Sequence, residues 1–356
     1  MDPALNGRGM SRRLVLAGTG LLGGSLLGAT GCSDAPSRAF YGVHQSGITT
    51  PVLPFLQIAG FDVVARDRDG LIELLQTWTR VAAELASRPS AALSLTFGFG
   101  PALFAEGRFG LAARRPPALT ELPSFPGDSL DPAAGGGDLC IQICAQHPTT
   151  AHDAVRALVN AGRSNARLRW RQVGFRDGDD GADPTGLFGF RDGTASLDLT
   201  SQQEQVDHLW VSDGPAWLHG GTYLVVRRIR LLLDTWDRTD IATQETIIGR
   251  RRDSNDRLGG VPTAHVQLAS PEANGGAKLL RRSYSYDAGT DPNGLMDAGL
   301  IFICFQRDPQ RQFVAIQQRL GSSDPLNGYS QHLASGVFAC PAGVERGSWI
   351  GASLLS

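Results

Sequence analysis

The sequence predicts an α+β protein made of two similar units of ferredoxin-like type. A strand–helix–strand order occurs in each half of the chain, and residues 139–148 align with residues 300–309 at an offset of 161, with the prolines and two apolar faces in register. The composition is that of a globular protein, with 42% hydrophobic and 19% charged residues. Together these observations indicate a duplicated unit with a sizeable core.

Length and charge bound the organisation of the chain. At about 150 residues per domain, 356 residues favour two domains. The predicted segments are an export signal with its linker (1–35), a first domain (36–182) and a second domain (183–356), because Asp, Gly and Pro crowd together at 177–186. With 33 basic and 35 acidic residues the net charge is −2, which argues against a nucleic-acid binder that works through bulk charge.

Apolar periodicity predicts the elements of both halves. In the first half, an apolar stripe with a 3.6-residue period predicts a helix for which Asp69 is the cap candidate. The predicted strands of this half are 52–65, 92–99 and 138–146, and its helices are 70–87 and 150–160. In the second half the predicted strands are 221–234 and 300–307, and the helices are 239–250 and 311–320. A further short run, 263–268, is strand-like.

The first thirty residues are expected to lie outside the fold. Arg12 and Arg13 precede a mildly apolar stretch that ends at Thr30 and is too short to span a bilayer well. Adjacent arginines in this position are typical of the twin-arginine route, which exports folded proteins. The run before Cys32 is a weak lipobox, so Cys32 would be the lipidated residue and a membrane attachment point. A frayed basic tail is the alternative.

The remaining cysteines show no metal-binding spacing. They lie in apolar, strand-like runs, which favours buried reduced thiols; they are Cys140, Cys144, Cys304 and Cys340. The chain has no Cys-x-x-Cys and no His-Glu-x-x-His, so a zinc or di-iron site has little support. The six tryptophans and five tyrosines are potential electron relays, although core packing is their more common use and none is singled out.

Two residues attract attention from their local sequence. His265 lies in the strand-like run 263–268, where a lone histidine is more often structural than functional. Asp192 is followed by Gly193 after an apolar pair, which predicts a tight turn. A turn of this kind fixes a carboxylate and is suited to presenting it over a ligand. Spacing alone assigns neither residue to catalysis.

The segment Phe188-Gly-Phe-Arg-Asp-Gly-Thr194 resembles the GxxDG signature of the dye-decolourising peroxidases, a family of haem enzymes. The resemblance extends in the same order over roughly residues 40–345. Its other segments are 40–48, 221–230, 236–238, 248–250, 279–286 and 305–308. The twin-arginine pattern suits the exported bacterial subgroup, some members of which are linked to iron uptake.

This resemblance implies a fold, a cofactor and three site residues. The family fold is a pair of ferredoxin-like domains, with one haem b per chain held mainly by the second. His265 would be the proximal ligand of the haem iron. Asp192 would be the distal acid–base and Arg281 the distal arginine, which also borders the haem; Arg282 is the fallback for Arg281. Family members often form homo-oligomers.

The implied chemistry explains these residue types. A carboxylate can move a proton between the two peroxide oxygens, and a guanidinium stabilises the charge on the departing oxygen. The product is a ferryl haem that oxidises dyes, phenols or other small reductants. Because a carboxylate stays ionised well below neutral pH, we expect an acidic activity optimum.

Two alternatives to the peroxidase stay open. One is a haem carrier or iron-releasing, deferrochelatase-like protein with incidental peroxidase activity; the other is an exported domain pair without a cofactor. The sequence also departs from the family pattern on the proximal side. An acidic partner for His265 is expected near Asn327-Gly328-Tyr329 but is absent there.

Overall fold

The computed structural model describes residues 40–88, 92–177, 184–192 and 196–356, which belong to one compact unit. The predicted signal, with Arg12, Arg13 and Cys32, lies outside the described residues, as does most of the predicted domain boundary. The boundary at 182/183 therefore stays a prediction. None of the helices in the described ranges is long and apolar enough to cross a membrane.

Five predicted strands are found, at 55–63, 93–99, 139–145, 222–231 and 296–306, and four further strands of the described residues were not predicted. In the described ranges they are β1 (Phe55–Val63), β2 (Leu93–Phe99), β3 (Leu139–Ala145), β4 (Ala166–Phe175), β5 (Thr222–Leu231), β6 (Leu280–Arg281), β7 (Tyr284–Thr290), β8 (Met296–Gln306) and β9 (Ser330–Cys340). Residues 139–145 and 300–306, which align in the sequence, lie on β3 and β8. Each of these strands is the third long strand of its half and precedes a helix, so the alignment reflects equivalent positions in the two halves.

The helices of the described residues are α1 (Arg68–Ala86), α2 (Pro148–Gly162), α3 (Gln202–His208), α4 (Leu233–Trp236), α5 (Ile241–Ile248), α6 (His265–Leu268), α7 (Ala315–Ser323) and α8 (Ala352–Leu355). The predicted cap of α1 is wrong by two residues. Asp67, not Asp69, is the N-cap: its backbone is extended and its carboxylate accepts a 2.9 Å hydrogen bond from Gly70 N. Asp69 lies in the first turn, where its charge favours the positive end of the helix.

The two halves share one strand arrangement. In the first half the antiparallel order is β2-β3-β1-β4, and in the second half β9-β5-β8 is continued by β7 and β6, which both pair with β8. Single-residue pairings, Phe99 with Ala339 and Phe175 with Ser285, join the halves. Because β5 pairs with β8 as well as β9, eight strands close into a ring and β6 lies beside it.

Both faces of most strands are buried, and each face contributes to a different core. One hydrophobic cluster collects alternate residues from strands of both halves, including Ile58, Cys140, Val226 and Phe338. The residues between them pack in a second cluster with α1 and α2. This explains why the strands read as continuous apolar runs rather than as alternating patterns.

The strand predicted over 263–268 is a correction that matters for the site. His265–Leu268 is the short helix α6, in which Leu268 N donates to Ala264 O at 3.0 Å and Ala269 N donates to His265 O at 3.0 Å. A six-residue run does not separate a period of two from one of 3.6. In the described part of the chain the segment belongs to no sheet, and the N–H groups of Leu268 and Ala269 are satisfied within the helical turn.

The helix predicted over 311–320 is found with a different start. Residues Gln310–Val314 form a π-helical turn, and α7 continues from Ala315 to Ser323. The turn is fixed at its start by Asp308, whose carboxylate accepts hydrogen bonds from Gln310 N at 2.9 Å and Arg311 N at 3.2 Å. Phe313 of this turn and Ile316 and Leu320 of α7 line the cavity that is described below.

Candidate active site

A cavity of about 270 Å³ lies in the second half of the chain, and its lining residues fall between Gly186 and His332. Neighbouring strands supply one wall through alternate side chains, because successive residues of a strand point to opposite faces. These residues are Ile229 and Leu231 of β5, Leu300 and Phe302 of β8, and Ser330 and His332 of β9. The wall is therefore mainly apolar, with polar groups at its ends.

His265 lines this cavity as the first residue of α6. Its Nδ1 lies 2.6 Å from Oδ2 of Asp324, whose side chain is only 3% exposed. The other carboxylate oxygen of Asp324 accepts a 2.9 Å hydrogen bond from Leu326 N, so this aspartate also caps the 3₁₀ turn Pro325–Tyr329. With Nδ1 engaged, the Nε2 atom of His265 is the nitrogen available to a metal.

The acidic partner that seemed to be missing is thus present. The family pattern predicts this partner near Asn327-Gly328-Tyr329, whereas Asp324 lies three residues before Asn327. The signal was available: Asp324 precedes Pro325, and an aspartate before proline is a common start for a helical turn. This signal predicts the cap. It does not predict the contact with His265, which is 59 residues away in the sequence and is formed by the tertiary structure.

Asp192 and Arg281 meet at the same cavity. Oδ1 of Asp192 lies 3.3 Å from Nη1 of Arg281, and both side chains are partly exposed. Asp192 is held by a turn in which its backbone N–H donates to Pro184 O at 2.8 Å, and Gly189 provides the left-handed conformation (φ +79°) that the turn requires. Arg281 lies on β6, where its N–H donates to Ser196 Oγ at 3.1 Å.

The choice between the adjacent arginines follows from strand alternation. Arg281 lines the cavity, whereas Arg282 is 4% exposed and is absent from the cavity wall. Arg282 lies near Tyr284 and Cys144, and its burial lowers the pKa of its guanidinium. Of the two residues, Arg281 is the one positioned to contact a ligand in this cavity.

Cationic and polar groups complete the cavity wall. Lys278, the single lysine of the chain, forms a 2.5 Å ion pair with Glu204. Burial, and after it the nearby Arg227 guanidinium, lowers the pKa of His332 to about 4, so this imidazole is neutral at ordinary pH. Among the described residues its buried Nδ1 has no hydrogen-bond partner. The sequence alone assigns no role to His332.

This donor set fits a haem. Haem iron takes an axial imidazole, and the macrocycle needs an apolar slot. The cavity offers apolar walls and one imidazole whose orientation is fixed by a buried carboxylate. Cationic groups and an unpartnered buried nitrogen are available to the acidic substituents of the haem. No cluster of three or more metal-binding side chains occurs in the described ranges.

Comparisons with known proteins identify the family of the chain. The C-terminal model of the Dyp-type peroxidases matches residues 183–345, and the N-terminal model matches residues 45–176. The chain is 36% identical to a dye-decolorizing peroxidase from Thermobifida fusca, covering 87% of this chain and 83% of that protein. It is 32% identical to a deferrochelatase from Shigella flexneri, covering 97% of both.

A solved structure of similar sequence shows the same fold. Ferric DtpA from Streptomyces lividans superposes with a TM-score of 0.84 at 36% identity, covering 89% of this chain and 96% of that one. The chain therefore belongs to the dye-decolourising peroxidase family, with its two-domain α+β fold. It is a haem-dependent peroxidase, an oxidoreductase that uses hydrogen peroxide to oxidise reducing substrates.

Proposed function

We propose that one haem b binds per chain in this cavity, with His265 as the iron ligand and with Asp192 and Arg281 acting on peroxide. The observation that carries the proposal is the pair of arrangements at one cavity: an imidazole bound to a buried carboxylate, and a carboxylate 3.3 Å from a guanidinium. When bound, the haem supplies an iron centre that exchanges electrons with peroxide and with the reductant.

Asp192 and Arg281 divide the work on peroxide between them. The Asp192 carboxylate takes the proton from one peroxide oxygen and returns it to the other, which leaves as water. The Arg281 guanidinium, fixed by its contact with Asp192, stabilises the negative charge that develops on the departing oxygen. The Asp324 carboxylate holds His265 in one tautomer and raises the electron density of its Nε2.

Replacing Asp192 tests this division of roles. In Asp192→Ala we expect peroxide turnover to fall by about 100-fold or more, the usual contribution of a positioned general acid–base, while the haem stays bound. The measurements are steady-state peroxidase rates and the Soret absorption of the purified holoprotein. Asp153→Ala, at an exposed ion pair on α2, is the matched control and should leave both unchanged. Undiminished turnover in Asp192→Ala would refute the assignment.

A second candidate function is release of iron from haem, or haem carriage. It is favoured by the curated deferrochelatases that are 32% identical to this chain over 97% of its length. A carrier needs the axial ligand but gains nothing from the Asp192–Arg281 pair. Incubating the holoprotein with a reductant and measuring free porphyrin separates the two: porphyrin formation that survives Asp192→Ala would favour this candidate.

We also propose that each half of the chain is a ferredoxin-like unit. The supporting feature is the order of four long strands in each half, the two-residue β6 left aside, with a helix after the first and after the third of them. Duplication of one unit accounts for this order and for the aligned residues of β3 and β8.

Export and surface attachment are proposed from the sequence of residues 1–35. The adjacent Arg12 and Arg13 support the twin-arginine route, which places the protein in the periplasm, outside the cell or at its surface, and Cys32 supports lipid attachment. Cell fractionation of the double variant Arg12→Lys/Arg13→Lys tests export, and cell fractionation of Cys32→Ser tests lipid attachment. A homo-oligomer is proposed from the family resemblance, and sedimentation of the holoprotein would test it.

A further inference from the structure

We propose that the interior of the strand ring binds one small monovalent inorganic anion, of the size of chloride, at the buried guanidinium of Arg282. This site is separate from the cavity proposed to bind haem. Arg281 and Ser283, the neighbours of Arg282 in the sequence, line that cavity, and Arg282 does not. The inference therefore does not depend on the proposed haem chemistry.

Strand alternation directs the side chain of Arg282 into the ring. Leu280 and Tyr284, two residues before and two residues after it, both belong to the apolar cluster inside the ring. The backbone N–H of Arg282 donates to Ile303 O at 2.8 Å, which holds this residue beside β8. The side chain is only 4% exposed. A guanidinium is thus fixed among groups that are otherwise mostly apolar.

The charge of Arg282 has no counter-ion in the described part of the chain. Its Nη2 atom is buried and has no hydrogen-bond partner there. The titratable groups near it are Tyr284, Cys144 and Arg176, and none of them is a carboxylate. Burial lowers the pKa of this guanidinium, but an arginine stays protonated at ordinary pH. Because a buried charge without a partner is strongly unfavourable, a bound anion would supply the missing negative charge.

Arginines of the neighbouring strand β5 are treated differently. The buried Arg227 pairs with the buried carboxylate of Asp128. The partly exposed Arg228 pairs with Asp297 at 2.7 Å. Both guanidinium groups thus have a carboxylate of this chain as their partner. Arg282 differs from them in that its charge is left for a group from outside the chain to balance.

A second guanidinium lies on the path from this site to solvent. Arg176 follows the last residue of β4 and is partly exposed, and its Cζ lies 6.0 Å from the ring centroid of Tyr284. Its backbone N–H donates to Pro54 O at 3.0 Å, which fixes the end of the strand. Arg176 is near enough to Arg282 for the two positive charges to repel each other. An anion that enters past Arg176 would relieve this repulsion.

The neighbouring polar groups favour a small ion as the occupant. Ser94 lies opposite Cys144 in the pairing of β2 with β3, and its buried hydroxyl has no hydrogen-bond partner in the described ranges, so its O–H is available to an anion. The Tyr284 hydroxyl is already used, because it donates to Leu53 O at 2.8 Å. The slight exposure of Arg282 favours an ion of one or a few atoms over an organic acid.

Urea unfolding of the purified full chain at constant ionic strength tests the site, with sodium chloride replacing sodium gluconate, whose anion is too large for the ring interior. In the wild type we expect about 0.2 M chloride to lower the equilibrium constant of unfolding about 20-fold, the value for a Kd of about 10 mM. Arg282→Met keeps a long side chain and removes the charge, so chloride should then have no effect. Unfolding of the wild type that is the same in both salts would overturn the proposal.

The matched control is Arg228→Met, which removes a guanidinium that has its own carboxylate partner and should keep the full chloride effect. A chloride effect as large in Arg282→Met as in the wild type would show screening of surface charge and would also overturn the proposal.

Two further measurements do not require a substitution in the ring interior. Arg176→Gln, at a partly exposed position, should weaken chloride binding several-fold. Anomalous diffraction from wild-type crystals grown in sodium bromide should show a bromide ion in contact with the Arg282 guanidinium. An unchanged chloride effect in Arg176→Gln together with no bromide at Arg282 would contradict the site, even if Arg282→Met failed to fold.

Discussion

At the scale of single residues, the role of His265 is decided by its neighbour. A histidine in a short helix is ordinarily a structural residue, but the 2.6 Å contact with Asp324 fixes the imidazole ring and its tautomer. Asp324 is itself held in place by its bond from Leu326 N and by burial. The imidazole–carboxylate pair that we propose for the proximal side is therefore held by two separate turns.

We predict that Asp324→Asn weakens haem binding by about 10- to 100-fold and raises the reduction potential of the iron. The substitution keeps the size of the side chain but removes the negative charge beside His265, so the imidazole donates less electron density to the metal. Haem titration and spectroelectrochemistry of the holoprotein measure the two effects.

Asp308→Asn is the control for this prediction. Asp308 also caps a helical turn, through Gln310 N, but does not line the cavity proposed to bind haem. Both variants lose a capping carboxylate, and only Asp324→Asn loses the partner of His265. Equal potentials in the two variants would contradict the role given to Asp324.

At the scale of elements, strand alternation and helix caps determine where side chains lie. On β6 and the residue after it, alternation places Arg281 at the cavity and its neighbour Arg282 in the interior. The pairing of β9 with β5 shifts by one residue between Arg228 and Ile229 of β5. Leu333 of β9 is skipped in this pairing, and His332 lies opposite Ile229. This bulge brings His332 to the cavity, as bulges commonly do beside functional sites.

The corrected cap of α1 yields a prediction at this scale. Asp67→Ala should lower the free energy of unfolding by about 1 kcal/mol, because Gly70 N loses its hydrogen-bond acceptor. Asp69→Ala, two residues along in the first turn, removes only a favourable charge and should cost about 0.5 kcal/mol or less. Chemical denaturation followed by circular dichroism measures both; a larger loss in Asp69→Ala would restore the cap predicted from the sequence.

At the scale of the whole molecule, the closed ring makes the two halves share a core. Among the described strands, β2 pairs with β9 and β4 with β7 through one residue pair each, and a common cluster of apolar side chains from both halves lies inside the ring. Three of the four buried cysteines, Cys140, Cys144 and Cys340, belong to that cluster, and Cys304 lies in the other core. The prediction of buried free thiols is confirmed for these four residues.

The shared core should protect these thiols from alkylation. Burial raises the pKa of all four, and the thiolate is the reactive form, so iodoacetamide at pH 8 should leave them unmodified in the native protein. Peptide mass spectrometry measures the modification at each site, and the protein unfolded in guanidinium is the control, in which all four react. Rapid modification of Cys140 or Cys340 in the native state would show that the ring opens readily.

The sequence by itself determined the local elements and the identity of the candidate residues. Apolar periodicity located β1, α1, β3 and α2 within a few residues, because these patterns record which face of an element is buried. The resemblance named His265, Asp192 and Arg281, and the structure places all three at one cavity.

Tertiary structure alone decided how these pieces combine. The contact between His265 and Asp324, the helical state of α6, the position of Arg281 rather than Arg282 at the cavity, and the closure of the ring all depend on residues distant in the chain. The physical reason is that a short segment satisfies its amides and places its side chains according to the neighbours that it meets after folding, and a local pattern does not contain those neighbours.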